Sequence, residues 1–184
     1  MDLKLKLFMV MLGCKIPGRL TEQHDIFFGI GESLRDLIPQ IDAFWPEAAR
    51  RWHIDVWREV SKIDGFEIKI VAKTDKQQPQ KLFFINLGGY RRDEFDEYHY
   101  KLLTVAISMA DATKQAKQSA FYKHFCFPGA VSHIDDKYGI DVDESYNVED
   151  ILAETLKQSY SLEIAATDLL EDKLQIGYLP IKKL

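Results

Sequence analysis

The stretch Lys6-Leu-Phe-Met-Val-Met-Leu-Gly13, followed after a polar loop by Thr21-Glu-Gln-His24, occurs twice in this chain. Its second copy is Lys81-Leu-Phe-Phe-Ile-Asn-Leu-Gly88, followed by Asp96-Glu-Tyr-His99. A constant shift of 75 residues matches Leu7 to Leu82, Phe8 to Phe83, Leu12 to Leu87, Gly13 to Gly88, Glu22 to Glu97 and His24 to His99 without a gap. Thr21 falls on Asp96, and both residue types cap helix N-termini. Internal self-similarity of this kind sets the reading of the whole chain. The repeated segment reads as a strand, a glycine turn and the start of a helix.

Working outward, Leu3 to Leu12 is nearly continuous in apolar character, as in a strand buried on both faces. The helix after Thr21 carries an apolar stripe at Phe27, Gly31, Leu34, Ile38, Ile41 and Trp45, with Pro39 kinking it or opening a second helix. Trp52 to Val60 alternates, which means a strand, and Asp64-Gly65 turns it into a hairpin with Phe66–Val71. His53, Asp55, Trp57 and Glu59 are expected on one face. In the second copy a straighter helix runs from Glu97 to about Lys123, and Ala130-Val-Ser-His-Ile-Asp135 echoes Trp52-His-Ile-Asp55 at a shift of 80. Asp136 to Glu144 reads as an acidic turn, and Tyr146-Asn-Val-Glu149 falls where Phe66-Glu-Ile-Lys69 did.

The expected fold class is therefore α+β. Two tandem strand–helix–strand–strand repeats, 1–75 and 81–151, form one pseudo-symmetric body with mixed sheets and packed helices, and a strand extension follows at 152–184. Each repeat alone would be marginal in size, so one compact domain is expected.

Composition narrows the function classes. The 184 residues carry a formal net charge of −5, and the pI of about 5.6 argues against a nucleic-acid footprint. No segment approaches the roughly 20 apolar residues of a membrane span. The basic start, short apolar run and Gly13-Cys14 resemble a lipoprotein signal, but the same run recurs deep in the chain, where an export signal has no meaning. Two cysteines, Cys14 and Cys126, are too few for a disulfide scaffold, and a cytoplasmic location is expected.

On Met11-Leu-Gly-Cys-Lys15, Thr21-Glu-Gln-His-Asp-Ile-Phe-Phe-Gly-Ile-Gly31, His53-Ile-Asp-Val-Trp-Arg-Glu59 and Asp64-Gly65 the sequence resembles a bacterial family known as domain of unknown function 1543. The likeness covers most of residues 1–75 and, more loosely, the second unit through His133-Ile-Asp-Asp-Lys-Tyr138. It implies a bacterial, cytoplasmic protein and supplies no reaction, cofactor or catalytic residue.

Two constellations can carry chemistry. Glu22/His24 and Glu97/His99, each beside its glycine (Gly13, Gly88), would sit in first helical turns, where free N–H groups favour anions. The two loops could face each other across the repeat seam and hold a small anionic ligand. The ordinary alternative is helix-start carboxylates and packed histidines. The second constellation is His53/Asp55 with His133/Asp135. Positions i and i+2 of a strand share a face, and four such groups could coordinate a divalent metal if the repeats bring them together. The ordinary alternative is a polar strand face. Cys14, placed between a strand end and a helix start, is a third candidate, as a thiol of lowered pKa.

The preferred function is thus a small-molecule or protein-interaction module with its site at the repeat interface. The alternative is a small hydrolase or lyase using the His/Glu or His/Asp pairs. No organic cofactor is expected, a divalent metal is open, and a homodimer through an edge strand is an open option.

Overall fold

The computed structural model describes residues 5–90, 93–118 and 140–184. The chain divides into two compact units: unit 1 comprises residues 1–76 with 152–184, and unit 2 comprises residues 77–151.

In unit 1 the apolar run forms β1 (Lys6–Cys14), one of the two inner strands of a four-stranded sheet. On one side it pairs antiparallel with β2 (Gln23–Gly31), and on the other with β3 (His53–Glu59). The alternate residues Phe8, Val10, Leu12 and Cys14 share an apolar core with Leu37, Ile41 and Trp52. Leu37 ends a 3-10 turn (Leu34–Leu37), and Ile41 lies on helix α1 (Ile38–Phe44), so this face of the sheet is covered. Asp36 fixes the turn: its Oδ2 accepts from the Ser33 amide at 2.8 Å and from the Ser33 hydroxyl at 3.0 Å. Trp52, fully buried, donates its indole N–H to Asp42 at 2.9 Å. Met11 and Gly13 point to the opposite face, because successive strand residues alternate.

After β3 the chain leaves this sheet. A two-residue strand, β4 (Lys62–Ile63), turns at Asp64 (φ 52) and Gly65 (φ 78) into β5 (Phe66–Ala72). Two positive φ values define the primed hairpin turn that the Asp-Gly pair favours. The C-terminal segment completes unit 1. A short helix (Glu154–Ser159) leads into a strand, Tyr160–Ala166, which pairs with β5. A final strand, Gln175–Pro180, pairs with β3. The carboxylate of Asp172 accepts from the Lys62 amide at 2.6 Å and the Ser61 hydroxyl at 2.8 Å, and so ties the tail to the sheet-to-sheet corner.

Unit 2 has β6 (Lys81–Tyr90) between β7 (Glu97–Ala106) and β8 (Ile140–Asn147). Helix α2 (Met109–Ala116) is capped by Ser108, whose hydroxyl accepts from the Asp111 amide at 3.1 Å. It buries Ala112 and Ala116 against Phe83, Ile85 and Leu87. Asn86 and Gly88 therefore face away from the helix.

The α+β class holds, and the order of elements differs from the expectation. Among the described residues each unit opens strand–strand–helix before a further strand joins its first sheet, and every ladder is antiparallel rather than mixed. The segment after Thr21 is a strand because Ile26-Phe27-Phe28-Gly29-Ile30 is aromatic and β-branched and buried on both faces. A strand buried on both faces shows no period of two, and its residues merge with the helical spacing of Leu34, Ile38 and Ile41. Leu102 and Val105 mislead in the same way ahead of α2. The acidic segment from Ile140 is strand β8, not a turn, and it occupies the third-strand place expected of residues 130–135, which lie outside the described residues. The Asp64-Gly65 turn joins β4 to β5, and β5 pairs with the tail instead of β3.

Candidate functional site

The site is set by β1, its two neighbours and one irregularity. Gly13 stands opposite His24 on β2 and opposite His53 on β3. The β1–β3 register then shifts: Leu12 pairs with Ile54, and Met11 with Val56, so Asp55 is an extra residue on β3. This is a β-bulge, which re-aims a side chain. It lets Ile54 enter the core and sends His53 and Asp55 to the same spot on the face away from α1. Beyond the bulge the alternation is reset, and Trp57 packs on the apolar core against Phe8, with ring centroids 6.2 Å apart, instead of continuing the polar face.

Glu22, His24, His53 and Asp55 converge there. His24 Nε2 lies 3.4 Å from Asp55 Oδ2 and 3.8 Å from Glu22 Oε2. His53 Nε2 lies 3.2 Å from Asp55 Oδ1 and 3.6 Å from Glu22 Oε1. Three of the four contacts exceed the roughly 2.7–3.2 Å of ordinary N–H···O bonds, and the fourth is at its limit. Asp55 Oδ2 is buried without a hydrogen-bond partner. Among the described residues no lysine or arginine pairs with Glu22 or Asp55. His53 is 7% exposed and forms the floor, while Glu22 and His24 are open to solvent. Tyr178, on the tail strand, packs its ring over His53 at a centroid distance of 4.4 Å. Gly13 makes room: a Cβ there would lie 2.5 Å from His53 Nε2 and 2.6 Å from Asp55 Oδ2.

Unit 2 carries a related cluster. Gly88 stands opposite His99, and the β6–β8 register shifts between Asn86 and Leu87, making Asp143 the extra residue. Ligand atoms of Glu97, His99 and Asp143 lie within 4.8 Å of one another, with His99 Nε2 3.3 Å from Asp143 Oδ2. A Cβ on Gly88 would lie 2.2 Å from that oxygen. Lys101, two residues beyond His99 on the same strand face, has its amine held below the ordinary lysine value by burial, while Glu144 and Asp143 pull it back up.

The two expected constellations thus join within unit 1: Glu22/His24 meets His53/Asp55. In unit 2 Glu97/His99 meets Asp143. His133 and Asp135, the expected partners of His53 and Asp55, lie outside the described residues. Asp143 holds the bulge position of Asp55, and Asp141 the place opposite the glycine that His53 has. The anion reading loses its basis, because Glu22/His24 and Glu97/His99 sit at strand starts and offer no free helical N–H groups. Cys14 points into the core, and burial pushes its thiol up rather than down. A groove along the opposite end of β1, lined by Leu7, Val60 and Ile68 and flanked by the Lys6–Glu59 pair at 2.6 Å, has no histidine or cysteine in its lining. Sequence reasoning missed Tyr178 and Asp143. The second had a signal, since Asp141-Val-Asp143 repeats the polar–apolar–Asp pattern of His53-Ile-Asp55.

Fold and clusters together define a small α+β protein with a histidine–carboxylate cluster in each unit, on the sheet face away from α1 in unit 1 and away from α2 in unit 2. Residues 19–70 match the model of the family described as Domain of Unknown Function (DUF1543), the family the sequence resembles, and all four cluster residues of unit 1 lie in the matched segment. A crystal structure of a protein Il1583 from Idiomarina loihiensis is similar to this chain, with a TM-score of 0.58 at 23% identity over 96% of this chain and 97% of that one. That likeness is one of fold. No curated protein matches the chain. No helix among the described residues is long and apolar enough to cross a membrane.

Proposed function

We propose that this is a divalent-metal-binding protein whose principal site is Glu22, His24, His53 and Asp55, taking zinc or a comparable first-row ion. The observation that carries the reading is the set of four nitrogen–oxygen contacts at 3.2, 3.4, 3.6 and 3.8 Å. A tetrahedral ion with ligands at about 2.0–2.1 Å has ligand–ligand edges of about 3.3–3.4 Å. The contacts are of that size and too wide for good hydrogen bonds, and because each carboxylate meets the two imidazoles through different oxygens, the side chains would close further to share one ion. Charge points the same way. Two carboxylates with no lysine or arginine partner among the described residues, flanked by two imidazoles, repel an anion and attract a cation. Four protein ligands close a tetrahedral shell, the arrangement of a holding site rather than a catalytic one.

The same reading includes a duplication of one strand–strand–helix–strand unit, supported by the glycine, the cross-strand histidine and the bulge aspartate found at equivalent register positions in both units. It includes a cytoplasmic location, supported by the low cysteine count.

Chelator-treated protein titrated with zinc by calorimetry, with elemental analysis of the product, tests the reading. One tight equivalent is expected, and it should be lost in His53→Ala and in Asp55→Asn. Undiminished zinc stoichiometry in both variants would sink it.

A further inference from the structure

We infer that unit 2 carries a second divalent-metal site of a different kind: oxygen-rich, built from Glu97, His99 and Asp143, and left open for water or an anionic oxygen ligand. It stands on other residues than the unit 1 reading and does not depend on it.

Three observations support it. The first is geometric. Octahedral ions with bonds of about 2.1 Å place neighbouring ligands about 3.0 Å apart and opposite ones about 4.2 Å apart. The three donors lie within 4.8 Å of one another, and the His99–Asp143 pair is at 3.3 Å. The second is the floor beneath them. Gly88 leaves the space that Asp143 fills, since a Cβ would lie 2.2 and 2.6 Å from its two carboxylate oxygens. Any larger residue at position 88 would force Asp143 to shift from this place. The third is the bulge. Asp143 is itself the extra residue of β8 opposite Asn86/Leu87, the kind of position whose side chain a bulge re-aims, and its carboxylate lies 3.3 Å from His99 Nε2.

The difference from unit 1 lies in donor number and hardness. Three protein ligands leave coordination positions free, which is how water or a substrate oxygen reaches a metal. One imidazole and two carboxylates favour harder ions such as manganese or magnesium over zinc, whereas the two imidazoles of unit 1 favour zinc. The chain would therefore sort two metals between two faces of like construction.

Manganese provides the probe. In the full-length protein carrying His53→Ala and Asp55→Asn, titration with Mn2+ is followed by electron paramagnetic resonance and by water-proton relaxation. One bound ion per chain is expected, with enhanced relaxation from water in the open positions. Adding Asp143→Asn or Glu97→Gln should weaken binding at least about tenfold; Glu97 is exposed, so its variant also controls for misfolding. Absence of Mn2+ binding at millimolar concentration, or binding that survives both substitutions, would overturn the site. Binding without relaxation enhancement would overturn its open character. Zinc titration of Asp143→Asn alone reports on unit 1 independently, so failure of one reading is distinguishable from failure of the other.

Discussion

Gly13→Ala gives the sharpest test of how the unit 1 site is built. Gly13 lies near the end of β1, beside the register shift, and its φ is outside the left-handed region, so alanine meets no backbone strain; all of the effect comes from the added methyl group. That Cβ would fall 2.5 Å from His53 Nε2, 2.9 Å from His53 Cε1 and 2.6 Å from Asp55 Oδ2. Relieving those contacts requires His53 or Asp55 to retreat by several tenths of an ångström to about 1 Å. His53 has little freedom to do so, being buried and stacked under Tyr178. Overpacking of this sort costs about 1–3 kcal/mol. Replacing a strand glycine returns about 0.5–1 kcal/mol through the unfolded chain. The apo protein should thus lose about 0–2.5 kcal/mol, or at most roughly 10 °C in Tm for a chain of this size. The larger effect should be on the ion. At a free zinc concentration of about 100 times Kd the native protein gains about 2.7 kcal/mol, and a tenfold weaker site gains about 1.4 kcal/mol. The zinc-induced rise in Tm should therefore fall to about half. Gly18→Ala is the control: its φ of +80 makes alanine strained, yet nothing lies within 4 Å of the new Cβ. It should lower the apo Tm and leave the zinc increment unchanged. An unaltered zinc increment in Gly13→Ala, by differential scanning fluorimetry across a zinc series, would refute the placement of His53 and Asp55 as ligands.

Three further outcomes follow from groups outside the clusters. Asp36 accepts from the Ser33 and Glu32 amides and the Ser33 hydroxyl, which hold its carboxyl below the usual aspartate range. Its contribution is present above the ordinary aspartate pKa and lost as pH falls through the depressed one; the stability gap between native protein and Asp36→Asn in urea should be full at neutral pH and close in acid. Cys14, with its thiol pushed up by burial, should resist Ellman's reagent in folded Cys126→Ser protein and react once denatured, and rapid native reaction would contradict its place in the core. Asp172→Ala removes the acceptor of the Ser61 and Lys62 donors and should cost about 1–3 kcal/mol in urea unfolding, with metal stoichiometry unchanged.

How much of this was legible in the sequence depends on the range of the interaction. The inner strand Lys6–Cys14, the Asp64-Gly65 turn and the two tail strands are local in origin, and composition showed them. The pairing of Gly13 with Gly88, Glu22 with Glu97 and His24 with His99 was visible because a shift of 75 residues needs no gap. The second strand was not, since a doubly buried run such as Ile26–Gly31 has no period to detect. The acidic segment was missed for a different reason: Ile140–Asn147 pairs with β6, but its charge reads as a solvated turn, while the expected strand Ala130–Asp135 lies outside the described residues. The first error moved the histidines His24 and His99. Read as helix starts they implied an anion; placed on a hairpin opposite a glycine they lie beside carboxylates.

The bulge accounts for why a strand, and not a helix, can build such a site. In a regular strand, His53 and Asp55 would project from one face with a full two-residue rise between them, about 6.6 Å. Coordination needs donors about half that distance apart. Inserting one unpaired residue opposite Met11/Leu12 bends β3 and brings His53 Nε2 to 3.2 Å from Asp55 Oδ1. The same insertion occurs opposite Asn86/Leu87 and aims Asp143 at His99. Because each cluster draws its donors from two strands flanking a shared inner one, an ion there cross-links β2 to β3, or β7 to β8, over a glycine. Binding and sheet formation are then one equilibrium. Metal should slow hydrogen exchange of amides along both outer ladders together, and protection confined to one strand would show that the donors do not share an ion.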